Sequence, residues 1–317
     1  MGNALVDVMI SLESDGILDI LALPKGSMQL VDKARSNAVL SALKDYKKSQ
    51  SAGGSAANTI HGLAMLGAKT GYIGVVGEDE LGGFFVRDLI NANVDPHMIH
   101  SQQETGRAIA LVTPDSERTF ATFLGAAIEL SADHLSSSMF KGYSYFHIEG
   151  YLVQNHDLIL RAVQLAKENG LMISLDLASY NVVEANRDFL DKIVRDYVDI
   201  LFANEEEAKA FTGHEPENAL HEIGKFVEIA IVKTGSKGSL IKTAAETCEI
   251  GIIPVMPIDT TGAGDLYASG FLFGLANNKS LQRCGELGAM LAGSVIEFMG
   301  SKMTADRWKQ IKELINS

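Results

Sequence analysis

The sequence predicts an α/β protein in which helices cover both faces of a mostly parallel sheet and a small β-sheet stands beside it. Three observations carry this. From residue 143 onward, short β-branched or aromatic runs alternate with helical stretches, the pattern of a parallel sheet buried on both faces. Between residues 104 and 127 two alternating runs flank a polar turn, which reads as a hairpin. The glycine-punctuated stretch Asp259-Thr260-Thr261-Gly262-Ala263-Gly264-Asp265 runs directly into an apolar segment with helical spacing.

Taken in order, residues 1–11 are β-rich but interrupted by polar Asn3 and Asp7, a spacing that belongs to an exposed strand face or to a site. Residues 18–32 hold a turn and a short strand, and 33–48 read as an amphipathic helix. Ser51-Ala52-Gly53-Gly54-Ser55-Ala56-Ala57-Asn58-Thr59 is a second glycine-rich turn, opening a helix that stops at Gly67. Its glycines serve tight packing alone, or let another molecule approach the backbone. The hairpin comprises 108–112 and 119–123; an isolated hairpin is marginal, so it is expected to join strands from 5–32. Beyond it, strands are predicted at 145–148, 172–176, 200–203, 229–232, 239–242 and 252–255. Helices are predicted at 157–169, 184–195, 205–212, 217–225, 265–277, 280–299 and 304–316. The expected division is a core of 33–99 and 128–317, with 4–32 and 100–127 as a small β-sheet unit.

Composition narrows the function. The chain has 317 residues, 46% hydrophobic and 21% charged, as in an ordinary globular protein. A net charge of −13 without any Lys/Arg-rich run argues against nucleic acid or an anionic membrane as partner. Phosphate chemistry in such a chain must rest on backbone dipoles and a metal. Cys248 and Cys284 lie far apart without a motif, so they read as reduced thiols of a cytoplasmic protein. No apolar run reaches the ~20 residues of a membrane span, and no signal peptide is evident. The eight histidines lack zinc spacing, and no Gly-x4-Gly-Lys-Ser/Thr loop occurs.

The chemistry concentrates at the 259–265 turn. Gly262 and Gly264 let backbone N–H groups converge, and the following helix adds unpaired donors and the positive end of its dipole. That is a site for an anion such as a phosphoryl group in transfer. Asp265 within it either caps the helix or accepts a proton from a substrate hydroxyl.

This heptapeptide resembles the C-terminal signature of the ribokinase-like (PfkB) carbohydrate and nucleoside kinases. Gly53-Gly54-Ser55-x-x-Asn58 and the glycine-rich stretch 71–82 are similar to that family's N-terminal signature, Asn204-x-x-Glu207 to its metal motif, and 232–238 to its nucleotide loop. Gly2-Asn3-x-Leu5-x-Asp7 resembles the opening of the adenosine-kinase branch, although there most of a core strand precedes it; a shortened strand or an earlier start is expected here. The resemblance implies a ribokinase-like fold and an ATP-dependent kinase, with Asp265 as base and Gly262, Ala263 and Gly264 as anion hole. It implies that Asn3, Asp7, Gly53, Gly54, Asn58 and the lid's Arg118 bind substrate, Arg118 being otherwise a solvated turn residue. Asn204, Thr234, Gly235 and Gly238 would bind ATP, and Glu207 would act on Mg²⁺ through water; on spacing alone Asn204 and Glu207 are an ordinary helix start. A monovalent cation, a nucleoside (adenosine first) or free sugar as partner, and a monomer or homodimer complete the expectation. A regulatory binder on the same fold is the alternative of a different class. Residues 230–233 also resemble the lysine strand of protein kinases, but no His-Arg-Asp or Asp-Phe-Gly follows.

Overall fold

A computed structural model describes every residue except Ser116 and Ser317. The first half of the chain runs β1 (Leu5–Ser11), α1 (Gly16–Ile20), β2 (Met28–Leu30), α2 (Lys33–Ala42), β3 (Lys48–Gly53), α3 (Ser55–Met65), β4 (Thr70–Gly77), α4 (Glu80–Asn91), β5 (Val94–Ser101), β6 (Gly106–Val112) and β7 (Arg118–Phe123). The second half runs β8 (Tyr145–Glu149), α5 (His156–Glu168), β9 (Met172–Asp176), α6 (Tyr180–Ala185), α7 (Arg187–Tyr197), β10 (Ile200–Asn204), α8 (Glu205–Thr212), α9 (Pro216–Ile223), β11 (Ile229–Lys233), β12 (Ser239–Lys242), β13 (Thr247–Ile250), α10 (Ala263–Ala276), α11 (Leu281–Val295) and α12 (Ala305–Asn316).

The core sheet has the order β13-β12-β11-β10-β9-β8, with β8 to β11 parallel and β12 and β13 antiparallel at one edge. Ile200 to Ala203 of β10 are buried without alternation, as helices on both faces require. Flanking helices bury one stripe each; α7 turns Leu190, Ile193 and Val194 inward. A parallel pair, β4 and β5, lies beyond β8, and residues 1 and 2 run between them: Glu149 N–H donates to Met1 O and Gly2 N–H to Ile73 O. Among the described residues no helix is long and apolar enough to cross a membrane.

The small sheet has the order β2-β7-β6-β1-β3. The expected hairpin forms it together with β1 and β2, Ala108 facing Thr122 and Val112 facing Arg118. Residues 33–53, assigned to the core from sequence, carry α2 and β3 of this sheet. The predicted helix 33–48 ends at Ala42, and Lys48–Gly53 pairs antiparallel with β1. The polar run Lys48-Ser49-Gln50-Ser51 has no strand pattern of its own; the open edge of β1 makes it one. Two further expectations shift. The predicted helix 184–195 is two helices, α6 and α7, meeting at Asn186. The predicted strand 252–255 is irregular chain without a ladder, and the strand is Thr247–Ile250 instead. The β12–β13 ladder ends where Ser239 faces Ile250; Gly238, at φ +100°, has the Ile250 carbonyl where a Cβ would stand. Ile252 and Ile253 leave the sheet and are exposed.

Candidate functional site

Four parallel strands end in a polar residue at one edge of the sheet: Glu149 on β8, Asp176 on β9, Asn204 on β10 and Lys233 on β11. The carboxyl edge is where open α/β sheets bind ligands. Asp176, Asn204, Lys233, Glu207, Gly235, Gly264 and Asp265 line a cleft of about 570 Å³ there.

Two glycine turns deliver helix N-termini to this edge. Gly54 (φ +95°) precedes α3, and Gly262 (φ +75°) precedes α10; a Cβ would meet Asn3 O at 2.3 Å in the first and Ser301 Cβ at 2.8 Å in the second. Only glycine takes this backbone freely. Helix α3 crosses α10 closely, since a Cβ on Gly62 would meet Ser269 Oγ at 2.4 Å. The crossing joins the two signatures: Ser55 Oγ donates to Asp265 Oδ1 at 2.7 Å, and Asn58 Nδ2 to Asp265 Oδ2 at 2.9 Å. Ser301 Oγ in turn donates to Asn58 Oδ1 at 2.8 Å, fixing the amide. Burial raises the Asp265 carboxyl to about 6, against the pull of these two donors toward the ionised form. In the turn itself, the Ala263 N–H donates back to Thr260 O at 3.3 Å. The N–H groups of Gly262, Gly264 and Asp265 take no acceptor among the described residues.

Asp7 lies on β1 of the small sheet, close enough to Asp265 for the two carboxylates to repel. Its carboxyl packs flat on Gly53, where a Cβ would come within 2.3 Å of both oxygens. Burial raises it to about 7, opposed by Lys302 and reinforced by Asp265. The remaining expected residues have defined partners. Asn3 turns away from the cleft: its N–H and Nδ2 donate to buried Glu149 Oε1 at 2.8 and 2.6 Å, and Ala56 N–H takes Oε2. Arg118 stands on Asp259, Nη1 to Oδ1 2.6 Å, and that buried carboxylate also accepts from Thr261 N–H and Gly300 N–H. Gly238 shapes the loop, its carbonyl accepting from Thr234 N–H at 2.8 Å.

Asn204 and Glu207 form a capping box. Asn204 N–H and Nδ2 donate to the two Glu207 oxygens, and Glu207 N–H returns a bond to Asn204 Oδ1. Burial raises Glu207 to about 7, with Asp176 adding to it. Among the described residues no three His, Cys, Asp or Glu are grouped as a metal cage. The cleft instead offers the hard carboxylate oxygens of Glu205, Glu206 and Glu207, Asp176 being taken up by Lys233 Nζ and Ala178 N–H. That set fits a Mg²⁺ that keeps several waters and arrives on nucleotide phosphates.

Sequence reasoning gave no role to Ser55, Glu149, Asp176 or Lys233. Ser55 stood inside a motif already in hand, and the other three shared one signal, a polar residue closing an apolar strand run.

Helix N-termini, a desolvated carboxylate and a cleft at the carboxyl edge are the equipment of an enzyme that handles phosphate, and the fold is the ribokinase-like one. Residues 28–306 match the pfkB family of carbohydrate kinases, and the chain belongs to that family. It is therefore a sugar or nucleoside kinase that uses ATP. It is 32% identical to a probable sugar kinase of Rhizobium etli, covering 99% of this chain and 96% of that one, with a TM-score of 0.89. It is also 32% identical to the adenosine kinase of Sinorhizobium meliloti, with 99% and 97% covered and a TM-score of 0.89. Saccharomyces cerevisiae adenosine kinase is 27% identical over 331 residues, covering 97% of this chain and 96% of that protein.

Proposed function

We propose that this kinase phosphorylates the 5′-hydroxyl of a nucleoside, adenosine first, with Asp265 as general base. The observation that carries the reading is the Asp265 carboxylate, held by Ser55 and Asn58 at the N-terminus of α10 and lining the cleft. A value of about 6 leaves it ionised at neutral pH yet basic enough to take a proton. The acceptor hydroxyl gives its proton to Asp265 as its oxygen bonds to the γ-phosphorus, and the bond to the β–γ bridging oxygen breaks to release ADP. The N–H groups of Gly262, Gly264 and Asp265 receive the charge on the transferring group. Asn204, Thr234 and Gly235 face the nucleotide, with Gly238 closing their loop. Bound among the cleft carboxylates, near Glu207, Mg²⁺ would neutralise phosphate charge. Asp7 and the Gly53-Gly54 backbone hold the acceptor's other hydroxyls, and the small sheet keeps water from the transfer.

Similarity to the Sinorhizobium meliloti adenosine kinase supports the nucleoside. A free sugar is the second reading, supported by the equal similarity to the Rhizobium etli probable sugar kinase. The deciding experiment measures ATP consumption with Mg²⁺ against adenosine, inosine, ribose and fructose in parallel. Turnover with adenosine and not ribose is expected. Turnover with a free sugar alone would discard the nucleoside while keeping Asp265 as base.

A further inference from the structure

Lys233 ends β11 and has no part in the mechanism above. Its side chain nonetheless enters the cleft between the nucleotide loop and the anion-hole turn. Nζ lies 2.8 Å from Asp176 Oδ2. It is also 3.2 Å from the point where a Cβ on Gly264 would stand, so the ammonium sits over the bare backbone of the first turn of α10. An ammonium carries three N–H donors. Asp176 is its one hydrogen-bond partner among the described residues.

Charge makes this placement consequential. Among the described residues, Lys233 is the sole basic one lining a cleft that also presents Asp176, Glu205, Glu206, Glu207 and Asp265. A polyphosphate entering among five carboxylates is repelled unless fixed positive charge meets it. Burial disfavours the Lys233 ammonium, but Asp176 and then Glu207 hold it charged, well above the ordinary lysine value. Conversely, burial would push Asp176 up, and Lys233 keeps its carboxyl below the usual range. The ammonium thus lies over the first turn of α10, where the N–H groups of Gly264 and Asp265 take no acceptor among the described residues.

We infer that Lys233 contacts the γ-phosphoryl group of ATP and stays with it through transfer, while Asp176 positions the ammonium over Gly264. This rests on the phosphotransfer reading of the cleft, not on the identity of the acceptor. Lys233 keeps all its protons throughout, since the hydroxyl proton goes to Asp265. A lysine that merely satisfied buried Asp176 would be indifferent to how many phosphates the nucleotide carries. Contact with the γ-phosphoryl group makes it selective.

The test compares MgATP and MgADP binding by calorimetry in the full chain, wild type against Lys233→Gln, Lys233→Arg and the double variant Lys233→Met/Asp176→Asn. The double variant removes both charges together, which a fold tolerates better than one orphaned charge. In Lys233→Gln and in the double variant, MgATP is expected to weaken by about tenfold or more while MgADP stays within about twofold. With an accepted substrate, kcat of Lys233→Gln falls by about 100-fold, the acceptor KM stays within about threefold, and Lys233→Arg recovers at least about tenfold of the loss. Equal weakening of ATP and ADP overturns the inference, as does a Gln variant with kcat within about threefold of wild type. If none of the acceptors is phosphorylated, the nucleoside and sugar readings fail, and the ATP-to-ADP binding ratio still decides the role of Lys233.

Discussion

Asp265 and Asp7 are both half-buried carboxylates, raised by desolvation to about 6 and about 7, yet the structure treats them in opposite ways. Asp265 is gripped by two side-chain donors and sits in the first turn of a helix. Asp7 has no hydrogen-bond donor among the described residues, only the flat face of Gly53 and the more distant charge of Lys302. A gripped carboxylate is fixed in direction and protonation, as a base must be. A bare one is costly in the empty protein and gains most when hydroxyl groups donate to it, as a binding residue should. The two ends of the proposed acceptor site thus divide the work between proton transfer and recognition.

The sharpest way to break this division is Asp265→Asn. It is expected to lower kcat by about 10³-fold or more while MgATP binding, followed by calorimetry, changes by less than about threefold. Retained turnover would end the assignment. Next comes Gly53→Ala, whose new Cβ falls 2.3 Å from both Asp7 oxygens and must displace them. Acceptor KM is expected to rise by about tenfold or more with a smaller change in kcat, measured at saturating ATP. A loss confined to kcat would put Asp7 on the chemical side instead.

The division also has a pH signature. Asp265 must be ionised to act, so kcat/KM is expected to fall as pH drops through about 6. That acid limb should persist in Asp7→Asn if Asp265 is its source; a limb that moves with Asp7 reverses the roles. The smallest effect concerns stability. Because folding raises the Asp7 value to about 7, the stability its neutral form contributes is complete below about 3.8 and lost as pH rises through about 7. Asp7→Asn removes that loss. Asp7 keeps some contact with solvent, so the gain in the ligand-free protein at pH 8 is expected to be about 1–2 kcal/mol, vanishing near pH 4 in thermal melts.

Elements with a local cause were legible in the sequence. Helix α8 begins at Glu205 because Asn204 and Glu207 form its cap, and α10 follows Gly262 because glycine accepts the left-handed turn. The family signatures lay on these same elements. Lys48–Gly53 failed because its strand character is borrowed from β1, and 252–255 failed because the ladder ends at Gly238. The same limit applied to side chains. Asn3 meets Glu149 from 146 residues away, and Arg118 on the small sheet meets Asp259 in the turn before α10. Neither pairing leaves a mark on the residues next to it.

By itself, then, the sequence determined the turns, the helix starts, the parallel core and the family, because these depend on backbone dihedrals and local periodicity. Only the tertiary structure decided which charges meet. Ser55 reaches Asp265 across 210 residues, and Lys233 reaches Asp176 across 57, because separate strands and helices end at one edge of the sheet. Electrostatic partnership is a matter of distance through space, and chain neighbours carry no record of it.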